Sequence, residues 1–194
     1  MNARVVCAFT ALVVVPSITV AQPSIEDTYT TLVDASGEIR IPERFRSEWA
    51  FLGTWSVAEQ DGEQSSDADG RGAAGLHNVY TQPDVIEAYR ETGEFPDGAV
   101  LVKELLTGAT KPMTTGVVSR GTDVEGWFIL VKDTQGRFTG NPLWGEGWGW
   151  VFYAGEDRTT PVTDSYQAEC MGCHIPARET DWIYVEGYPV LEAD

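Results

Sequence analysis

A mainly β, α+β fold with a few short helices is what this sequence predicts. Its apolar runs are short and rich in aromatic and β-branched residues, as is typical of strands separated by turns. Turn-forming residues are frequent, with 20 glycines and 10 prolines in 194 residues, which favours turns over long helices. Four long stretches of 3.6-residue periodicity are absent, so a four-helix bundle is disfavoured.

The first predicted elements lie between residues 39 and 81. Ile39-Arg40-Ile41, just before a proline, indicates a short extended segment, and a helix is expected over residues 42–49. Residues 49–57 are apolar and aromatic, which predicts a strand. A second strand is expected at 77–81.

Pro83 marks the start of the longest predicted helix, because proline suits the first helical position and acidic residues occupy the opening turn. Thr92-Gly93 is expected to end this helix. Residues 95–98 contain proline and glycine and predict a turn into a strand at 99–106.

The last predicted strands are residues 126–132 and 148–153, with a turn at 133–136 between them. These two segments form a hairpin-like pair. A short helix is expected in the last region, at residues 165–173.

The first 21 residues are typical of a secretory signal peptide. A positive charge at Arg4 precedes an apolar run from Val5 to Val15, and Thr19-Val20-Ala21 offers a cleavage site. The run is too short for a transmembrane span, and Cys7 lies too far from the cleavage site to serve as a lipid anchor. We expect a soluble, exported protein with no membrane association.

Residues 22–194 have the length of a single domain with one folded core. Residues 61–72 are rich in Asp, Ser, Gly and Gln and predict a mobile loop within that domain. Asp67–Gly70 looks like a fragment of a calcium loop, but the remaining ligand spacing is absent. The net charge of −17 disfavours nucleic acid and anionic lipid as partners; it is explained either by solubility or by steering of a basic redox partner.

Cys170-Met171-Gly172-Cys173-His174 is the most specific motif, because C-x-x-C-H is the attachment site of c-type haem. Two thiols can bond the vinyl groups of one porphyrin edge, while the adjacent imidazole reaches the iron as its proximal ligand. A disulfide, a zinc half-site and a thioredoxin-like redox pair are the alternatives. Zinc needs further soft ligands, yet beyond the signal peptide there is no other cysteine and His77 is the only other histidine.

Haem c is therefore the expected cofactor, with Cys170 and Cys173 as covalent attachments and His174 as the iron ligand. Such haem is attached outside the cytoplasmic membrane in bacteria, so the motif and the signal peptide together predict a periplasmic location. No Met or His follows His174, and upstream sixth ligands are limited to His77, Met113 and Met171 within the motif. An open iron position is the simplest expectation and suits nitric oxide, hydroxylamine or peroxide. Electron transfer with His77 or Met113 as sixth ligand is an alternative.

Several segments resemble those of the cytochrome P-460 family and follow one another in the same order as in that family. They are residues 77–80, 92–104, 131–133 with 137–138, 150–153, 170–174, 180–182 and 188–191. The resemblance covers nearly the whole chain after the signal peptide. It implies a c-type haem in an antiparallel β-sandwich-like fold with helices, usually assembled as a homodimer.

The resemblance implies one of two activities, because cytochrome P-460 proper oxidises hydroxylamine whereas cytochrome c′-beta binds nitric oxide without that turnover. In the first branch a lysine is cross-linked to the porphyrin, and Lys103 matches it. Alternation along the strand puts Lys103 on the face of Leu101 and Leu105, where a lysine is costly to bury unless it is paired or bonded. An edge-strand lysine pointing to solvent is the alternative.

The distal side departs from the hydroxylamine-oxidising pattern. Three residues before Val131, where that branch carries a carboxylate suited to proton transfer, this chain has Phe128, which cannot act as a base. Phe128 resembles the apolar distal lining of cytochrome c′-beta, although it is also an ordinary core candidate. Glu125 would be the substitute catalytic carboxylate if the alignment shifts by three residues.

These observations predict a periplasmic haem protein that oxidises hydroxylamine or nitric oxide at an open iron position. Binding or scavenging of nitric oxide without hydroxylamine turnover is the alternative function. The expected partners are a small nitrogen-oxide ligand, a second copy of the chain and a redox partner.

Overall fold

The computed structural model describes residues 23–58 and 72–192. The predicted signal peptide lies outside these residues, as does the predicted mobile loop at 61–72 except for Gly72. Within the described ranges, no helix combines the length and apolar character needed to cross a membrane.

Six strands form one antiparallel sheet. They are β1 (Ala50–Ala58), β2 (Ala73–Thr81), β3 (Val100–Met113), β4 (Gly116–Lys132), β5 (Trp144–Gly145) and β6 (Trp148–Ala154). Their spatial order is β1-β2-β3-β4-β6-β5. The prediction of a mainly β, α+β fold with an antiparallel sheet is confirmed, and β3 and β4 are its central strands.

Strands β3 and β4 are longer than predicted, because their outer halves pair with each other as a largely exposed hairpin ribbon. Hydroxyl pairs join the two strands there: the Thr107 and Thr122 oxygens lie 2.6 Å apart, and those of Thr110 and Ser119 lie 2.7 Å apart. Cross-strand pairs of this kind stabilise a ribbon whose side chains, including Met113 and Val117, stay largely exposed and form no core. Apolar patterning therefore located only the inner halves of these strands.

Short helices cover both faces of the sheet. The α-helices are α1 (Ile25–Leu32), α2 (Phe45–Glu48), α3 (Pro83–Thr92), α4 (Tyr166–Glu169) and α5 (Met171–His174). Three 3₁₀ helices follow: α6 (Ile175–Thr180), α7 (Val185–Gly187) and α8 (Pro189–Leu191). Helix α2 is a single turn, shorter than the predicted helix at 42–49.

Helix α3 confirms the prediction made from its end signals. Pro83 occupies its first turn, and the Gly93 that follows adopts φ 74° with its N–H donating to the carbonyl of Tyr89. Glycine suits this left-handed position because it has no Cβ. Helix α1 was not predicted, although Ser24 and Asp27 form a capping box at its start.

A hydrophobic core lies on each face of the sheet. One, the site-side core, packs sheet residues against α3 and the C-terminal helices: Leu52, Val79, Leu101, Leu130, Trp148, Trp150, Tyr166, Cys170, Trp182, Ile183, Tyr188 and Leu191. The opposite core packs Val100, Val102, Ile129, Val131, Val151 and Tyr153 against the N-terminal segment at Leu32, Ile39, Ile41 and Phe45. Successive strand residues enter different cores because they alternate between faces. The cysteine motif is thereby held against the site-side face of the sheet.

Candidate functional site

A largely apolar cavity of about 340 Å³ lies between the sheet and the C-terminal segment. The sheet contributes Trp55, Ser56, Val57, His77, Val79, Leu101, Lys103 and Leu130, and the C-terminal segment contributes Cys173, His174, Ile183, Tyr184 and Tyr188. A smaller cavity of about 80 Å³ shares Lys103, Leu130, Cys173 and His174 with it and is also lined by Phe128, Trp150 and Cys170. The two cavities therefore adjoin around the cysteine motif.

His174 is held at the wall shared by both cavities. Its Nδ1 lies 2.6 Å from the carbonyl oxygen of Trp182, and because a carbonyl only accepts, Nδ1 must carry the hydrogen. The lone pair is then on Nε2, which is the arrangement found in metal-ligating histidines. The ring meets the Trp150 ring edge-on at 5.0 Å. Burial lowers the pKa of His174, which favours the neutral, ligating form.

The two thiols of the motif differ in exposure. Cys170 is buried and Cys173 is exposed, and both are free cysteines in the structure. Burial raises the pKa of Cys170 to about 11. Tyr184 donates from its hydroxyl to the carbonyl of Cys173 at 2.6 Å, which ties the motif to the following segment. Across the described ranges, no group of three or more His, Cys, Asp and Glu residues is arranged to hold a metal ion, so a zinc site gains no support there.

Lys103 extends from the central strand β3 into the cavity. Its Nζ lies 4.5 Å from the centre of the Phe128 ring, and burial lowers its pKa. The neighbouring Glu104 points into the opposite core, where it pairs with Arg46 and accepts from Trp127 Nε1 at 3.1 Å. No ion pair forms between Lys103 and any residue in the described part of the chain. An unpaired amine with a lowered pKa is a better nucleophile than an ordinary lysine.

Of the two candidate distal residues, the structure brings only Phe128 to the cavity. Phe128 is half-buried, lines the smaller cavity and stacks on Phe152 with ring centres 4.2 Å apart. Glu125 is exposed, and its backbone carbonyl accepts from the N–H of Gly155 at 2.7 Å. Glu125 lines neither cavity.

The two candidate sixth ligands of the electron-transfer alternative, His77 and Met113, lie apart in the structure. His77 on β2 lines the larger cavity, and burial lowers its pKa, with a further lowering from the charge of Lys103. Met113 lies at the outer end of β3, is 53% exposed and does not line the cavity. Sequence reasoning considered His77 only as an iron ligand, whereas its position makes it an imidazole available to any molecule in the cavity.

Sequence reasoning missed the groups that orient His174. The acceptor of its Nδ1–H is the backbone carbonyl of Trp182, and a backbone acceptor leaves no side-chain signal in a sequence. The dense aromatic content of residues 182–188 was the available sign that this segment packs around a cofactor.

The residues present fit a covalently attached haem. A c-type haem requires an apolar slot, thiols at one edge and an axial base whose free nitrogen faces the slot. Cys173 and His174 line the larger cavity and Cys170 lines the adjoining one. The cavity walls are mainly aromatic and aliphatic side chains, which suit the porphyrin faces.

A comparison with known protein families found a match that covers the site. The family model described as Cytochrome P460 matches residues 42–185, which is more than half of the 194-residue chain. The matched range includes all six strands and the cysteine motif. No match was found among curated proteins.

Proposed function

The chain belongs to the cytochrome P460 family, and from this premise we propose that it is a periplasmic c-type haem protein that binds nitric oxide at an open iron position. Family membership implies haem binding. In the proposal Cys170 and Cys173 form the covalent attachments and His174 Nε2 ligates the iron. Bound haem supplies the redox-active iron, and the surrounding side chains decide which small molecules reach it.

The position of Phe128 is the observation that carries the proposal. Its ring lines the smaller cavity beside Lys103 and His174, and it stands where the hydroxylamine-oxidising branch of the family carries a carboxylate suited to proton transfer. The only carboxylate that lines the described cavity walls is Glu169. Glu169 is exposed, and its Oε2 already accepts from the N–H of Asp164 at 2.9 Å. An apolar wall favours an uncharged diatomic ligand, because such a ligand needs neither hydrogen bonds nor a base.

Hydroxylamine oxidation is the second candidate, and two observations favour it. Lys103 lies in the cavity with a lowered pKa, as a cross-linking lysine requires. His77 lines the same cavity, and its lowered pKa keeps the imidazole neutral and able to accept a proton. Electron transfer is the less supported alternative, because only His77 of its two candidate sixth ligands lines the cavity and Met113 does not.

Titration of the purified holoprotein tests the choice between the two functions. We expect nitric oxide to bind stoichiometrically with a clear change in the optical spectrum. Hydroxylamine with an artificial electron acceptor should be turned over slowly. Rapid hydroxylamine oxidation by the wild-type protein would contradict the first function and favour the second.

Replacing Lys103→Ala should shift the haem spectrum towards that of an ordinary high-spin c-type haem, because the proposed third attachment is removed. The fold should persist, since the apolar neighbours on β3 remain. Optical spectra and haem-peptide masses measure the change. Lys111→Ala is the matched control, because Lys111 is on the same strand but exposed. Identical spectra and masses for Lys103→Ala and the wild type would show that no cross-link forms.

Replacing His77→Phe should remove most residual hydroxylamine oxidation while leaving nitric oxide binding unchanged. The reason is that a neutral imidazole in the cavity can take the substrate proton, and this assistance is worth about 10²–10⁴-fold. Since burial lowers the pKa of His77, wild-type activity should fall only below the usual histidine pKa of about 6.5. A pH profile of both proteins measures this. Equal residual rates with identical profiles would assign the proton transfer to another group.

We propose a basic redox partner and a homodimeric assembly. A net charge of −17 would attract a basic redox partner, and this attraction would weaken at high ionic strength. A homodimer is the assembly that the family resemblance implies.

A further inference from the structure

Two consecutive residues after α6 adopt left-handed backbone conformations: Asp181 has φ 57° and Trp182 has φ 69°. Aspartate tolerates this region, but for a bulky residue such as tryptophan it is unfavourable. Conformations of this kind persist only where the surroundings hold them. The carbonyl that accepts from His174 Nδ1 belongs to Trp182, so the strain lies directly beside the proposed iron ligand.

An ion pair from the sheet holds this segment. Lys132 Nζ, at the end of β4, lies 2.7 Å from Asp181 Oδ1, and Lys132 is a buried residue. Trp148 Nε1 donates to the backbone carbonyl of Asp181 at 3.0 Å. Both the side chain and the backbone of Asp181 are thereby fixed to the sheet.

Among the described residues, Lys132 and Asp181 form an ion pair only with each other. Lys132 forms no other ion pair with the described residues, and its Nζ otherwise lies 4.9 Å from the centre of the Trp148 ring. The adjacent Asp133 pairs instead with Arg137 at 2.7 Å. The carboxylate of Asp181 is therefore compensated by Lys132, and His174 is left with a neutral carbonyl as its acceptor.

We propose that Lys132 and Asp181 are positioning residues that hold the Trp182 carbonyl against His174 and so set how strongly this imidazole donates to the haem iron. An Nδ1–H bond to an acceptor makes the ring more basic at Nε2. A more basic ligand stabilises the ferric state relative to the ferrous state. The path from sheet to ligand is short: Lys132 Nζ to Asp181 Oδ1 at 2.7 Å, one residue along the backbone, then Trp182 O to His174 Nδ1 at 2.6 Å.

The test rests on the proposed haem attachment and uses the holoprotein. In Lys132→Met and in Asp181→Asn, the loosened carbonyl should lower the iron–histidine stretching frequency in resonance Raman spectra of the ferrous protein. The ferric–ferrous equilibrium should shift about tenfold towards ferrous, which is about 59 mV upward in midpoint potential. Asparagine preserves the left-handed conformation at this position, so Asp181→Asn removes the charge with little backbone change.

Controls separate positioning from general loosening. Lys132→Arg keeps a cation and should restore much of the wild-type frequency and potential. Arg137→Met breaks the neighbouring ion pairs with Asp97 and Asp133, which do not lead to His174, so it should cost stability without moving either quantity. The double variant Lys132→Met/Asp181→Asn should shift the potential no more than one single variant does.

The outcomes are distinguishable. Unchanged frequency and potential in Lys132→Met and Asp181→Asn, with covalent haem present, would overturn the positioning role and leave the proposed function standing. Equal shifts in Lys132→Met and Arg137→Met would also overturn it, because loosening alone would explain both. A wild-type protein without covalent haem would instead overturn the proposed function itself.

Discussion

In a Lys103→Ala background, which removes the proposed third attachment, the double variant Cys170→Ala/Cys173→Ala is expected to lose all haem on denaturation, whereas Lys103→Ala with both cysteines should keep it. The thiols are the only groups in the motif that can form bonds stable in denaturant, since the imidazole of His174 is a reversible ligand. Each single variant keeps only one thiol that can bond the porphyrin, so its covalent haem attachment should be weakened or abolished. Haem staining of a denaturing gel and peptide masses measure the effect. His174→Ala should leave haem attached while changing the spin state of the iron.

Met171→Ala is the matched control, because Met171 lies within the motif but offers no thiol. Its side chain is partly buried against the site-side core, so some stability should be lost while covalent attachment is kept. Recovery of a colourless, zinc-loaded wild-type protein from cells competent in cytochrome c maturation would contradict the haem assignment.

The sequence predicted those strands that carry a nearly continuous run of apolar residues, and it did not predict the strand segments that lack one. The inner part of β4 and the whole of β6 carry nearly continuous apolar and aromatic residues, and both were located within a residue or two. The outer half of β4 is mostly exposed and mixes valines with polar residues and glycines, and its cross-strand hydroxyl contacts cannot be recognised from one strand alone. Helix α1 carried two signals that could have predicted it: the Ser24–Asp27 capping box, and the helical spacing of Ile25, Tyr29 and Leu32, which places them on one face.

The site was predictable only where chemistry requires a particular side chain. Cys170, Cys173 and His174 stand in one five-residue motif, which made them recognisable in the sequence. Lys103 is far from that motif along the chain, and the structure brings it to the same cavities. The alternation of the strand correctly gave the face of Lys103, because Leu101 lines the cavity with it. Glu125 could not be excluded by alternation, because the pairing of β3 with β4 is irregular at Leu105/Leu106, opposite this part of β4.

The contact between Lys103 and Phe128 determines how a carboxylate introduced at position 128 would behave. These residues face each other across β3 and β4, with the amine 4.5 Å from the ring centre. A carboxylate introduced at position 128 would therefore lie beside Lys103. A free ammonium there would lower the pKa of the new carboxyl and weaken it as a base, whereas a cross-linked Lys103 would not carry that charge.

Replacing Phe128→Glu should raise hydroxylamine oxidation by about 10²–10⁴-fold, the range that a positioned general base contributes. Nitric oxide binding should persist, because it needs no proton transfer. Steady-state rates with an artificial electron acceptor, measured on samples of equal haem content, give the comparison. The expected gain is largest if Lys103 is cross-linked, so the haem-peptide mass of the variant is determined alongside the rate.

Phe128→Gln is the matched control, because glutamine has nearly the size and polarity of glutamate but cannot act as a base. It should bind nitric oxide and show no comparable gain in turnover. If Phe128→Gln and Phe128→Glu were equally active, added space or polarity would explain the gain and the missing-base argument would be wrong. Fast wild-type turnover unaffected by either substitution would place the proton transfer elsewhere, with His77 as the next residue to test because it lines the same cavity as His174.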